Sequence, residues 1–585
     1  MIYLVTKVKA LFKSSKYECI SIEKSKEIIN SMKKIRGLDT ETMGLNPHTK
    51  ALLTVQIGTK ENQVVIDCTT INIWEYKDIL KDSNILYILA NAKFDIQFFF
   101  KHNIILSKVW DVMLAEKIRY LGYPKNSFHA DLKTLEYKYL NKYMDKTVRG
   151  KITKVGLTEE VIVYAANDVV DLEDLMNAQI KALEKEDLVK AVQLENRFVI
   201  PLAYMEWCGV KLDVEKWKVK MVKDAKRLKI ALTKLNDWVV KHYGKDSRFT
   251  KVDLQGDLFS GFNTDPQCTI NWNSAAQVIP LFKSIGINTS TVDSKTKKLK
   301  DSVDAKLLEP QAKDFEILPI YLDYKEAQKV CSTYGQNWLD QINSETGRVY
   351  TKFNQLGTNT ARISSGGKDK NAKIEYVNFL NLPADPETRS CFIAEKGNSW
   401  ISIDYSGQES FIMASISNDK ALIHELMEGS GDLHSLTAYM SYPDQIPRDT
   451  KITEIKEKYH HLRQLAKKIE FGFNYGGDFN TIHRNLGISI EEAKKIYENY
   501  MSGFSGLAKY QEYCRKIVME KGYILLNPIS KYRAHIYDFE SLRSMQEKMQ
   551  DREFWKYYRE MKRESPNCDT VQEVRDFFKK KGECE

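Results

Sequence analysis

Hydrophobic positions in the first 185 residues follow two periods. Short apolar or alternating runs at 35–40 (IRGLDT), 52–57 (LLTVQI), 63–67 (QVVID) and 85–90 (ILYILA), with turn-forming residues between them, predict β-strands. Helical spacing follows at 93–102 and 158–185. Strands leading into helices predict an α/β domain over residues 1–185. Further on, 190–240 and 303–345 read as helices, separated by a weakly periodic stretch at 245–300 rich in Asn, Asp, Thr, Ser and Gly. Strand–turn–strand character returns at 348–405, and long helical patterns fill 420–520. The chain has no repeat of fixed period, and its nearest approach to a low-complexity linker is the lysine-rich 294–300.

Composition narrows the class only a little. A chain of 585 residues is too long for one core and predicts roughly three or four domains. Hydrophobic content of 43% and charged content of 29% are ordinary for a globular protein. No apolar run approaches the ~18 residues of a membrane span, and lysines break the N-terminus too often for a signal-peptide core. A cytoplasmic protein with no membrane partner is expected. None of the nine cysteines has CxxC spacing, so neither zinc nor a disulfide framework is indicated. The net charge of +9 favours polyanionic partners without deciding anything alone.

The carboxylates change the picture. Asp39 and Glu41 stand in LDTET at the end of a predicted strand, where positions i and i+2 share a face. Asp95, in NAKFDIQFF, follows the next apolar strand at a helix start. Tyr164 and Asp168, in YAAND, lie four apart on a helix and share its face. Carboxylates converging on one spot repel unless hard divalent cations join them, and Mg²⁺ or Mn²⁺ prefers such oxygens. Any one fragment alone would read as a helix cap or a solvated side chain. Together, in this order, they resemble motifs I, II and III of the DnaQ-like proofreading exonucleases, and the tyrosine in the third points to the DEDDy subgroup. That resemblance implies an RNase H-like domain, two metal ions, and Tyr164 orienting the attacking water. Asp111, in VWDVMLAE, reads equally as an extra ligand or as a helix cap.

The second half carries a different set. The helical RQLAKKIEFGFNYGG spaces Arg463, Lys467, Phe471 and Tyr475 by fours, so two cations and two aromatics span one broad face before Gly476 and Gly477. SWISIDYSGQES offers an apolar strand, Trp400, Ile401 and Ile403, expected to be buried and to deliver Asp404 to its end. With MEWCGVKLD (205–213), EAQKVCSTY (326–334), TNTARISS (358–365) and NFLNLP (378–383), these segments resemble family A DNA polymerases from about residue 190 to 537. The family's usual glycine is Ala361 here, and a usual glutamine is Leu380.

The resemblance implies an α+β right-hand polymerase of thumb, palm and fingers. In it Asp404 and the Tyr405 carbonyl hold two Mg²⁺ (or Mn²⁺) ions, and Glu409 screens out ribose 2′-hydroxyls, implying dNTP substrates. It further implies that His434, Arg463 and Lys467 meet the triphosphate, with Lys467 able to protonate the departing pyrophosphate. Phe471 would pack on the sugar, and Tyr475 beside the templating base. Thr333, Tyr334, Arg362, Asn378 and Arg533 would contact primer–template DNA.

The expected spans are the exonuclease at 1–185, thumb and palm entry at 186–347, palm at 348–435, fingers at 436–535, and a charged helical segment at 536–585. The His-Asp-Glu of palm motif C does not occur after motif B; HIYDFE (535–540) is the nearest imitation. The palm is therefore expected to be incomplete, with motif C supplied by a second polypeptide or lost by truncation. The leading expectation is a phage replicative polymerase with proofreading, in the host cytoplasm, with a processivity factor as a further candidate partner. Two alternatives stay open: an exonuclease whose polymerase-derived remainder grips DNA, and a non-enzymatic DNA-binding protein. No GxxxxGK[ST] or KxDG motif supports a helicase or ligase.

Overall fold

The structure is a computed structural model that describes residues 1–124, 128–143, 156–245, 248–252, 265–292, 299–369, 374–405, 407–474, 476–536 and 539. The described residues form two compact units: one drawn from 1–222, 333–399 and 522–536, the other from 223–332 and 400–521. Each unit gathers segments distant in sequence, whereas the spans expected from the sequence are contiguous.

The first unit is built on a seven-stranded sheet of β1 (Ile2–Val5), β2 (Glu18–Ile20), β3 (Ile35–Thr42), β4 (Leu52–Gly58), β5 (Gln63–Asp67), β6 (Leu86–Leu89) and β7 (Val109–Asp111). Its order is β2-β1-β5-β4-β3-β6-β7. β3, β4 and β5 run antiparallel, while β1 lies parallel to β5 and β2, and β6 parallel to β3 and β7. Every residue of β4 and β5 is buried, as strands covered on both faces require. Helix Glu159–Asn167 packs on β4 and β5, and helix Leu172–Lys185 on β3 and β6.

All four expected strands form. β1, β2 and β7 are additions, of three or four residues each, too short to show a period in sequence. The helix expected over 158–185 is two helices, the first capped by the Thr158 side chain accepting from Val161 N–H, the second beginning after Asp171. The break between them is where Asp168 sits.

The remaining segments of this unit add a three-stranded antiparallel sheet of Arg348–Val349, Val210–Leu212 and Phe392–Ile393 over a small core with Trp217 and Trp338. A bulged hairpin, Tyr523–Asn527 with Tyr532–His535, sends Tyr532 and Ala534 into the large core beneath the seven-stranded sheet. The exonuclease-like domain thus draws part of its core from the far end of the described chain.

The second unit holds two helical cores. One joins Ala231, Leu235 and Val239 of helix Val214–Tyr243 to Trp272, Phe282 and Tyr321. The other surrounds Leu462, Ala466, Ile469 and Phe473 of helix His460–Asn474. Within the weakly periodic 245–300 lie two short strand pairs and the helix Ala275–Ser284. One expectation fails here. The run at 400–403 is not a buried strand: it has no ladder partner among the described residues, and Trp400, Ile401 and Ile403 are 57%, 78% and 89% exposed. β-propensity is realised only against a neighbouring strand, and this run has none there. Tyr537, Asp538 and Glu540 of HIYDFE and all of 541–585 lie outside the described residues. Among the described residues no helix is long and apolar enough to cross a membrane.

Candidate functional site

β3 has partners on both edges, β4 and β6, and so holds Asp39 and Glu41 in fixed register, opposite Gln56 and Thr54. Both carboxylates are half-buried. Oxygens of Asp39, Glu41 and Asp168 lie within 4.8 Å of one another. Asp168 reaches this spot from the end of its helix, where its N–H donates to the Tyr164 carbonyl at 3.2 Å. Two glycines admit the turn that follows. A Cβ at Gly37 would stand 2.6 Å from the Val169 carbonyl oxygen, and one at Gly58 would stand 2.9 Å from a Val169 methyl. The strand that bears the first two acids is therefore stripped of side chain just where the third arrives.

Asp95 is 3% exposed, in the first turn of helix Ala92–Phe100, and accepts from Thr40 Oγ1 at 2.5 Å. Thr40 lies between Asp39 and Glu41, so the same strand ties down the fourth acid, which stands outside the close group of three. Tyr164 is buried against Leu53 and Val161. Asp111 proves to be a cap: it accepts from Met113 and Leu114 N–H of its own helix, and from Ala92 N–H (2.9 Å) at the start of the Asp95 helix. Three carboxylates this close repel by ~4 kcal/mol per pair at ~4 Å and an effective dielectric of ~20. The all-oxygen donor set fits a hard divalent cation.

The polymerase-like residues are arranged differently. Arg463 donates to both oxygens of Asp432, at 3.0 and 2.9 Å, and Asp432 also caps helix Leu433–Ser441. Burial would raise the Asp432 carboxyl, but hydrogen bonds from Arg463 and Ser435 outweigh it and hold it below its ordinary value. His434 Nδ1 meets buried Glu470 Oε2 at 2.5 Å, and Glu470 also accepts from Ser410 at 3.3 Å. Lys467 is exposed on the same helix as Arg463. The Phe471 side chain and Tyr475 lie outside the described residues. The glycines end the helix and do not bend it: Gly476 has φ +77°, and Gly477 N–H donates to Gly472 at 2.9 Å. Asp404, Tyr405 and Glu409 are exposed, Glu409 in the first turn of helix Gln408–Ser417.

Of the residues expected on DNA, Arg362 is exposed and Thr333 half-buried. Asn378 Oδ1 accepts from Ser365 Oγ at 2.7 Å and Leu380 N–H at 3.0 Å. Two side chains face inward instead. Tyr334 is 5% exposed beside Trp338, its hydroxyl donating to the Asn381 carbonyl. Arg533 stacks on Tyr523 and faces Glu186 at 3.9 Å, since its strand packs on the exonuclease core. Sequence reasoning passed over Thr40, Asp432 and Glu470. Asp432 was legible as an N-cap, three residues before Ser435; Glu470 gave no signal beyond lying within motif B.

The carboxylate cluster on an α/β sheet has the donor set of a metal-dependent enzyme. The 3'-5' exonuclease family matches residues 19–183, and DNA polymerase family A matches residues 262–555. The chain belongs to DNA polymerase family A and carries a 3'-5' exonuclease domain. It is 24% identical to the DNA polymerase of Mycobacterium phage D29 over 86% of this chain and 80% of that one. It is 27% identical to DNA polymerase I of Aquifex aeolicus, over 83% and 77% of the two chains. With the Borreliella burgdorferi DNA polymerase I it shares 28% identity over 83% of this chain but half of the relative's length. The POL domain of Pol1 from M. smegmatis, solved with DNA primer-template and dNTP, has the same fold, with a TM-score of 0.64, 22% identity, and 86% and 77% of the chains covered. Enzymes of these families generally use divalent metal ions.

Proposed function

We propose that this chain is the proofreading polymerase of a phage DNA-replication system, working in the host cytoplasm, with its exonuclease site complete. The observation that carries the exonuclease assignment is the meeting of Asp39, Glu41 and Asp168 oxygens within 4.8 Å. Asp39, Glu41, Asp95 and Asp168 would hold two Mg²⁺ or Mn²⁺ ions, which when bound would supply Lewis acidity to the attacking water and the leaving 3′ oxygen. Tyr164 orients that water against the last phosphodiester.

In the polymerase half, Asp404 and the Tyr405 carbonyl serve as metal ligands, Glu409 screens the sugar, and Phe471 and Tyr475 face sugar and templating base. Arg463, Lys467 and His434 meet the dNTP phosphates, and Arg362 and Asn378 line the primer–template. The side chains of Tyr334 and Arg533 have no part in this.

The test uses the purified chain on a 3′ single strand and on a primer–template, with Mg²⁺. Degradation of the single strand and extension of the primer are both expected. Absence of extension overturns the roles given to Asp404 and the cationic helix. Absence of degradation overturns the exonuclease assignment.

A further inference from the structure

The geometry points to Glu206 as a positioning residue of the exonuclease, one that sets where Asp95 stands relative to the carboxylates of β3. This deepens the reading of Asp95 as a metal ligand and rests on it. Glu206 lies in the last turn of helix Val189–Cys208, its side chain 12% exposed. Its carboxylate is fully engaged. One oxygen accepts from Lys93 Nζ and from Phe353 N–H at 2.8 Å; the other accepts from Gln97 Nε2 at 3.0 Å. Lys93 Nζ donates in turn to the Phe353 carbonyl at 2.5 Å.

Lys93 and Gln97 are four apart on helix Ala92–Phe100 and share one face. Asp95, two residues beyond Lys93, is turned about 200° from it and so looks the opposite way, toward Thr40. One buried carboxylate therefore grips the back of the turn whose front is Asp95. The other anchor, Asp111, takes the Asn91 and Ala92 N–H groups and holds the helix by its end. Glu206 acts on the rotation of the turn from its back, as Thr40 does from its front. It does so against Phe353, a residue of the 333–399 segment, so the exonuclease geometry depends on chain that lies far beyond the exonuclease in sequence. Removing one partner of a buried pair leaves the other uncompensated, so the turn must shift when Glu206 is lost.

The experiment measures Mn²⁺ binding by electron paramagnetic resonance and single-strand degradation against Mg²⁺ concentration, on the full chain. Glu206→Ala is expected to weaken Mn²⁺ binding about 10-fold and raise the half-maximal Mg²⁺ by a similar factor, as loss of an outer-shell partner does. The rate at saturating metal and the KM for the oligonucleotide stay near wild type. Unchanged metal affinity overturns the proposal, as does a rate lost at every metal concentration with an unchanged melting temperature. Should Glu206→Ala not fold, Gln97→Ala must shift the metal dependence in the same direction, and its failure to do so also overturns the proposal. Asp95→Asn serves as the reference. If it leaves Mn²⁺ binding intact, the assignment of Asp95 as a ligand is wrong, a result separable from any result on Glu206.

Discussion

Two runs of similar sequence character meet different fates in this molecule. IRGLD and SWISID are both short stretches with apolar residues that end in an acid. The first becomes β3, with strands hydrogen-bonded on both sides, and its Leu38 is fully buried. The second stays unpaired among the described residues, with Ile403 89% exposed beside Asp404. What separates them is the neighbour each finds. Because β3 is central, its register fixes where Asp39 and Glu41 point, and the third acid can be delivered to them across Gly37. Among the described residues, Asp404 has no such frame. A metal site is made by the strands around a carboxylate as much as by the carboxylate.

The largest effect tests the assembled side of this contrast. Asp39→Ala with Glu41→Ala should lower Mg²⁺-dependent degradation of a 3′ single strand by roughly a hundredfold or more, above the cost of losing an outer-shell partner. Unchanged degradation would leave the cluster without a catalytic role and revive the reading of a non-enzymatic DNA-binding protein. Gly37→Ala comes next and probes the delivery of Asp168. A methyl 2.6 Å from the Val169 carbonyl must push the turn away. Overpacking of this kind costs about 1–3 kcal/mol, and degradation should fall together with the melting temperature. A variant that keeps full nuclease rate would show that Asp168 tolerates displacement from β3.

The sequence carried most of the exonuclease because its signals are local. Strand runs, the i, i+2 acids of LDTET and the i, i+4 pair of YAAND all sit within a few residues. What it hid is non-local. Thr40 donating to Asp95, Val169 closing on Gly37, and Glu206 gripping the Asp95 helix join residues 55, 132 and more than 100 positions apart. The same holds for the polymerase half. The cationic spacing of RQLAKK showed a functional face, but nothing in it said that Arg463 would be taken up by Asp432. That Tyr334 and Arg533 turn inward was hidden too, because a motif gives a residue's neighbours in sequence and says nothing of the core it joins.

A smaller effect concerns the departure from the family pattern at Ala361. Its φ is +63°, a left-handed conformation that suits the glycine usual there. An alanine so placed is strained by about 1–2 kcal/mol. Part of that gain is offset by the greater freedom of glycine in the unfolded chain. Ala361→Gly should therefore raise the urea midpoint by an amount equivalent to about 0.5–1 kcal/mol. A lower midpoint would mean that the surroundings select the methyl.

The smallest effect concerns His48, whose ring lies 4.1 Å from those of both Trp207 and Tyr350. Burial first, then the charges of Lys101 and Arg348, lower its pKa from 6.5 to about 4. The folded state thus binds a proton less readily than the unfolded one. The contribution of His48 to stability is complete above pH 6.5 and is lost as the pH falls through that window toward 4. Melting temperatures of wild type and His48→Phe, compared at pH 7, 5.5 and 4, isolate it. Wild type should lose ground to the variant as the pH drops, because phenylalanine keeps the stacking and has no proton to take up. A constant difference would mean that water reaches the ring, so that His48 is held by its aromatic neighbours without being sealed by them.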